Sequence, residues 1–187
     1  MSDSRYLTNQ FLIAMPGLED PNFFHSVTYI CEHNDEGALG LVINRPLDMQ
    51  LGEILQHIKL EQALPKARQI PVHLGGPVQQ DRGFVLHEPL GGWNATLKVT
   101  DRIGITSSMD ILEAIAVDEG PEHILITLGY AGWGAGQLEQ EIADNTWLSG
   151  PAHPDILFRT PDEECWKAAA ASLGVDLNLL SGEAGHA

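Results

Sequence analysis

The stretch YICEHNDEGALGLVINRP, residues 29–46, combines the clearest fold signal in the chain with its most suggestive chemistry. Val27 to His33 is rich in β-branched and aromatic residues, which suit a pleated surface. Ala38 to Asn44 is apolar on both alternating faces, with Leu39, Leu41 and Ile43 opposite Ala38, Gly40 and Val42, the pattern of a central strand covered on both sides. Between them His33, Asn34, Asp35, Glu36 and Gly37 form a polar loop, and Gly37 is free to take the positive φ that closes a longer hairpin. Pro46 ends the second strand, since it has no N–H to donate and biases Arg45 to an extended conformation. The spacing predicts a β-hairpin.

The chemistry inside it is the run Cys31-Glu32-His33. Residues two apart on a strand share a face, so Cys31 and His33 are expected to point the same way. A histidine beside a thiol favours the thiolate, which is the nucleophile and metal ligand. The competing reading, which carries more weight, makes Cys31 a small buried hydrophobe and His33 a polar residue at a strand end.

Outward from the hairpin, Phe11 to Ala14 reads as a first strand stopped by Met15-Pro16-Gly17. Asp48 is expected to cap a short helix in which Leu51, Ile54, Leu55 and Ile58 share a face, and Glu61 to Gln69 reads as a polar linker. Val72 to Val78 and Gly83 to His87 are strand-like, separated by Gln79 to Arg82. Two short strands follow, Ala95 to Thr100 and Ile103 to Thr106, then a helix starting at Ser107 that carries Ile111, Leu112 and Ile115. His123 to Tyr130, HILITLGY, repeats the two-sided apolar pattern of a buried strand. A rigid loop over residues 150–154 leads to a last strand, Ile156 to Phe158. Thr160, Pro161 and Glu163 then read as N-cap, first helical position and capping-box partner of a helix running to about Leu173, with Trp166, Ala169 and Leu173 inward and Gly174 as its C-terminal cap. Residues 1–174 form a single domain, and 175–187 are expected to be a mobile tail.

The glycine-rich run GYAGWGAG, residues 129–136, precedes a helix over Gln137 to Ala143 and invites a phosphate-binding reading. The spacing fits neither GxGxxG nor GxxxxGK[ST], and Glu139 and Glu141 in the early turns would repel an anion. A tight turn with Trp133 as lid or core plug is the preferred reading.

A chain of 187 residues with 43% hydrophobic residues fits one domain with a sizeable core. Its two cysteines, Cys31 and Cys165, lie far apart, so no disulfide framework is implied and a reducing cytoplasm is the natural setting. MSDSRYLTNQ lacks the basic flank and apolar core of a signal peptide, and the longest apolar runs fall far short of the roughly 20 residues a membrane helix needs. Net charge is −16, from 26 acidic against 10 scattered basic residues, which disfavours direct nucleic-acid binding and anionic membranes. Arg45, Arg82 and Arg102 are the residues that would make a local basic patch. His25, His33, His73 and His87 lie on or near predicted strands, yet no HExxH or paired CxxC spacing is present, and neither metal nor cofactor is expected.

Three segments, CEHNDEGALGLVINRP at 31–46, LGGPVQQDRGFVLH at 74–87 and GYAGWGAGQLEQEI at 129–142, resemble the AlgH/YqgE family of bacterial proteins, with weaker similarity from about Phe11 to about Leu173. The resemblance implies an α+β domain with a small barrel-like core of mostly antiparallel strands, flanked by the four predicted helices. The family carries a label as a regulator of alginate production and of transcription; it brings no reaction, cofactor or catalytic residue to transfer.

Two functions from different classes follow. The first is a cytoplasmic regulatory or interaction protein with an unidentified protein partner and no chemistry of its own. The second is a small-molecule binder or thiol-dependent enzyme at the open end of the barrel. There Cys31 would be the nucleophile or redox thiol, His33 its base and Arg45 an anion clamp, with Asn44, Arg82, Gly132, Trp133 and Gly134 as further ligand-binding candidates. A DNA-binding regulator ranks last on charge.

Overall fold

The computed structural model describes residues 6–184. β1 (Gln10–Ala14), β2 (Val27–Asn34) and β3 (Gly37–Val42) form an antiparallel meander. The hairpin is tighter than expected: Asn34 pairs with Gly37, which leaves only Asp35 and Glu36 in the turn. β4 (Pro46–Gln50) pairs with β5 (Pro71–Leu74), so Asp48 lies in a strand and does not cap α1 (Leu51–His57). Gln50 takes the cap position, and its backbone N–H donates to Glu53 at 2.9 Å. The predicted linker contains α2 (Pro65–Arg68), started by Pro65 and fixed by the burial of Ala67.

β6 (Val78–Glu88) continues through Gln79 to Arg82, where its register against the later strand His123–Gly134 shifts between Val78 and Gly83; the chain breaks earlier, at Gly75-Gly76-Pro77. β7 (Thr96–Lys98), β8 (Gly104–Thr106) and α3 (Met109–Ala116) follow, with Ser108 in place of Ser107 at the cap. β9 (His123–Gly134) is longer than expected. The predicted glycine turn is mostly strand: Gly132 pairs with Leu39, Trp133 with Ala38 and Gly134 with Gly37. Then come α4 (Gln137–Ala143), β10 (Trp147–Pro151), which replaces part of the expected loop, and α5 (Pro154–Phe158).

The strand expected at Ile156 to Phe158 is thus a helical turn, with Pro154 at its start. Its end draws in Thr160, whose hydroxyl donates to the Asp155 carbonyl at 3.1 Å, so Thr160 caps nothing. α6 (Asp162–Ala171) instead has Pro161 in the cap position and three carboxylates, Asp162, Glu163 and Glu164, in its first turn to oppose its dipole. α7 (Leu177–Ala184) lies in the segment read as a tail, and Leu177 is buried in the main core, so residues after 174 do not begin as a free tail. Residues 185–187 lie outside the described residues.

The strands join in the order β10-β1-β2-β3-β9-β6-β8-β7, with β5 added parallel to β9 and the other pairings antiparallel. The sheet curls into an open half-barrel, an α+β fold as expected. Three apolar clusters hold it: Phe11, Tyr29, Leu41 and Leu86 on one face, Leu51, Val72, Ile111 and Ile126 on another, and Leu12, Ile30, Trp133 and Trp147 beneath α4. β9 belongs to both halves and turns between them at Gly129, whose φ of +77° an L side chain rarely adopts. A Cβ there would strike the Gly76 carbonyl, and one on Gly76 would strike Tyr130, so the corner requires bare backbone on both sides.

Candidate functional site

The structure separates the two residues that the hairpin was expected to present together. A β-bulge between Ile30 and Glu32 inserts Cys31 as an extra residue and reverses the alternation beyond it. Cys31 therefore joins the cluster of Tyr29 and Leu41, whereas His33 pairs with Ala38 on the face that packs under α4. Cys31 is 2% exposed, with Sγ 3.8 Å from the Tyr29 carbonyl, and burial, then the charge of Glu32, raise its pKa above the ordinary thiol range. A buried neutral thiol of this kind is a packing group. His33 accepts at Nδ1 from the Leu7 N–H at 2.9 Å, which fixes its proton on Nε2, 3.1 Å from Glu139 Oε1 in α4. The ring also meets Tyr6 edge-on.

The remaining candidates hold the fold. Asn44 accepts from the Val27 N–H and donates to the His25 carbonyl, while Arg45 donates to the carbonyls of Pro21 and Phe24 at 2.8 and 2.6 Å. Together they tie down the loop between β1 and β2. In that loop His25 is stacked between Phe24 and Trp166, and burial, then the cations Arg45 and Lys167, lower its pKa. Arg82 lies over the Phe84 ring and Arg102 pairs with Glu88, so the three arginines have separate engagements. Trp133 is the core plug: its indole N–H and that of Trp147 both donate to Glu141 Oε1, at 3.0 and 2.9 Å. Gly132 and Gly134 are exposed beside it, and the Gly134 N–H donates to Gln137.

The polar pocket lies elsewhere, where β5 and β9 meet α5 and α6. A cleft of about 340 Å³ is lined by Ile43, Ile70, His73, Ile156, Phe158 and Asp162, among others. His73 is 4% exposed, and its Nε2 lies 3.0 and 2.9 Å from the two Asp162 oxygens, an ion pair when the ring is protonated. Its Nδ1 is buried with no partner among the described residues. Cys165 closes the inner wall, its thiol pushed up to about 12 by burial and by the charge of Asp162. Arg159 stands at the rim, paired with Asp155 and with His123 Nε2, both at 3.2 Å. Sequence reasoning noted His73 only as one of several strand histidines, and Asp162 only as part of a helix start. No local signal joins them, because they are 89 positions apart. Among the described residues no group of three or more His, Cys, Asp or Glu is placed to hold a metal ion, and no helix is long and apolar enough to cross a membrane.

A family model described as AlgH-like matches residues 11–178. A UPF0301 protein of Thioalkalivibrio sulfidiphilus is 64% identical over the whole of both chains, and one of Nitrosococcus oceani is 58% identical over 97% of each. The solution structure of the AlgH protein from Pseudomonas aeruginosa superposes with a TM-score of 0.81 at 53% identity, covering 100% of this chain and 99% of that one. A crystal structure from Corynebacterium diphtheriae, at 21% identity, shares the fold with a TM-score of 0.73, covering 97% and 94%. With nearly its full length matched in sequence and in structure, the chain belongs to the AlgH-like family.

Proposed function

We propose that the chain is a regulatory binding protein of the cytoplasm that acts through a protein partner with a basic face. The observation that carries this reading is where the charge sits. Of 26 acidic residues in a chain of net charge −16, Glu88 alone is buried among the described residues. Almost the whole negative field therefore faces solvent, where it attracts a basic partner, speeds encounter and repels nucleic acid. The residues that suggested chemistry support the same reading, since the Cys31 thiol is sealed in the core and Arg45 is spent on two backbone carbonyls.

The test is capture from cell extract on the immobilised chain at low salt, followed by a salt gradient and a reciprocal capture on the identified partner. A surface-charge contact is screened over about 8 Å at physiological ionic strength, so retention should fall steeply across the gradient. A chain that retains no partner at low salt overturns the proposal. So does a sequence-selective DNA complex that survives physiological salt.

A further inference from the structure

The cleft floored by His73 and Asp162 has unused hydrogen-bonding capacity of one sign. His73 Nε2 lies within 3.0 Å of both Asp162 oxygens, so it carries the ring proton and donates it. Nδ1 is buried without a partner among the described residues and presents no surface to the cleft, so the acceptor that faces the space is the Asp162 carboxylate. Asp162 uses its two oxygens on a single N–H, and its side chain is 28% exposed, which leaves lone pairs available.

The walls are apolar, with Ile43, Ile70, Ile156 and Phe158 facing the space. Arg159, the cation at the rim, is already engaged by Asp155 and His123. Other clefts among the described residues lack a part-buried, paired carboxylate on their floor: one of about 340 Å³ lies beside Met15 and Thr146, one of about 260 Å³ beside Glu32 and Leu39, and one of about 200 Å³ beside Leu64 and Ala67 carries the exposed Lys66–Asp118 pair at 3.6 Å. A volume of about 340 Å³ falls in the range of small-ligand pockets, roughly 300–1,000 Å³.

We propose that this cleft binds a small ligand bearing a primary ammonium group on an apolar body. Asp162 takes the cation through a charge-assisted hydrogen bond, His73 holds that carboxylate in place from behind through Nε2, and the hydrocarbon part lies against Ile70, Ile156 and Phe158. The negative field of the chain raises the local concentration of such a cation. The site is independent of the protein-partner reading.

Hexylamine, hexanol and hexanoate, which share a chain length and differ in head group, separate the possibilities when titrated into the full chain at pH 7.5 and followed by amide chemical shifts. Hexylamine should saturate with shifts centred on His73, Ile126, Arg159 and Asp162, and should bind about tenfold tighter than hexanol, the discrimination of one charged contact. Asp162→Asn, which keeps shape and removes charge, should erase that preference. Ile156→Trp, which fills the cleft, should abolish saturable binding of all three probes. Hexanoate binding as tightly as hexylamine would overturn the proposal in favour of an anion at Arg159. Absence of saturable shifts, or an amine preference that persists in Asp162→Asn, would overturn it outright.

Discussion

Two histidines in this molecule have the same local description and different circumstances. His33 and His73 are both buried on strands, and each gives Nε2 to a carboxylate in the first turn of a helix, Glu139 of α4 and Asp162 of α6. At His33 the second nitrogen accepts the Leu7 N–H, so the ring is saturated and the N-terminal segment is fastened to the sheet. At His73 the second nitrogen has no partner among the described residues, and the ring borders a cleft. The lesson is that what surrounds a buried imidazole–carboxylate pair sets its part in the molecule: a backbone N–H ties the first into the fold, and a cleft lies open beside the second.

The sharpest way to break this comparison is to remove each ring. His33→Ala strands the Leu7 N–H, unpairs Glu139 from the ring and opens a cavity, for an expected loss of about 2–4 kcal/mol. His73→Ala loses one contact beside a cleft that already admits solvent, and should cost about 1–2 kcal/mol. At this size each kcal/mol moves the melting midpoint by roughly 2–4 °C, so thermal unfolding resolves the two. Equal losses would erase the distinction.

The thiols extend the test, because Cys31 is sealed in the main core while Cys165 borders the His73 cleft. With native pKa values raised in both, iodoacetamide at pH 8 should alkylate each far more slowly than in the unfolded chain, and Cys165 on the order of tenfold faster than Cys31. Faster reaction at Cys31 would revive the activated-thiol reading of the hairpin.

A third buried ring supplies a pH reference. His87 donates from Nδ1 to the Pro89 carbonyl and meets Thr106 Oγ1 at 2.7 Å, and burial lowers its pKa. The unfolded chain then binds protons that the folded chain refuses. Stability is therefore intact above about pH 6.5 and falls as pH drops toward the lowered folded value. His87→Gln should flatten part of the decline in melting temperature between pH 7.5 and 5, and an unchanged slope would show that His87 is not its source. The smallest effect belongs to the carboxylates. Glu139→Gln and Asp162→Asn each keep a hydrogen-bonding partner at a partly exposed position, and each should cost about 0.5–1 kcal/mol by denaturant titration.

Sequence patterning revealed the elements whose apolar residues repeat with a clear period: the hairpin, the first half of β9, α3 and α4. It missed what is set by partners distant in the chain. The bulge at Cys31 has no glycine or proline to mark it, since it arises from the pairing of β2 with β3. The second half of β9 looked like a turn because its glycines are allowed by close packing against β3, which lies about ninety positions earlier. α5 is a single turn whose Ile156-Leu157-Phe158 is too short to show a helical period. The first of these separates Cys31 from His33, and the cleft stayed hidden because His73 and Asp162 meet only when α6 docks on the sheet.

The placement of β9 also bears on how the chain is made. The strand joins β3, β5 and β6, yet it begins at residue 123 of 187, and β10, the partner of β1, comes later still. A nascent chain leaving the ribosome thus carries three strands awaiting the one that unites them. Their open edges invite pairing with other chains during that interval. Commitment to the native topology waits for β9 and β10 and rests on contacts of long sequence separation, the kind that form slowly.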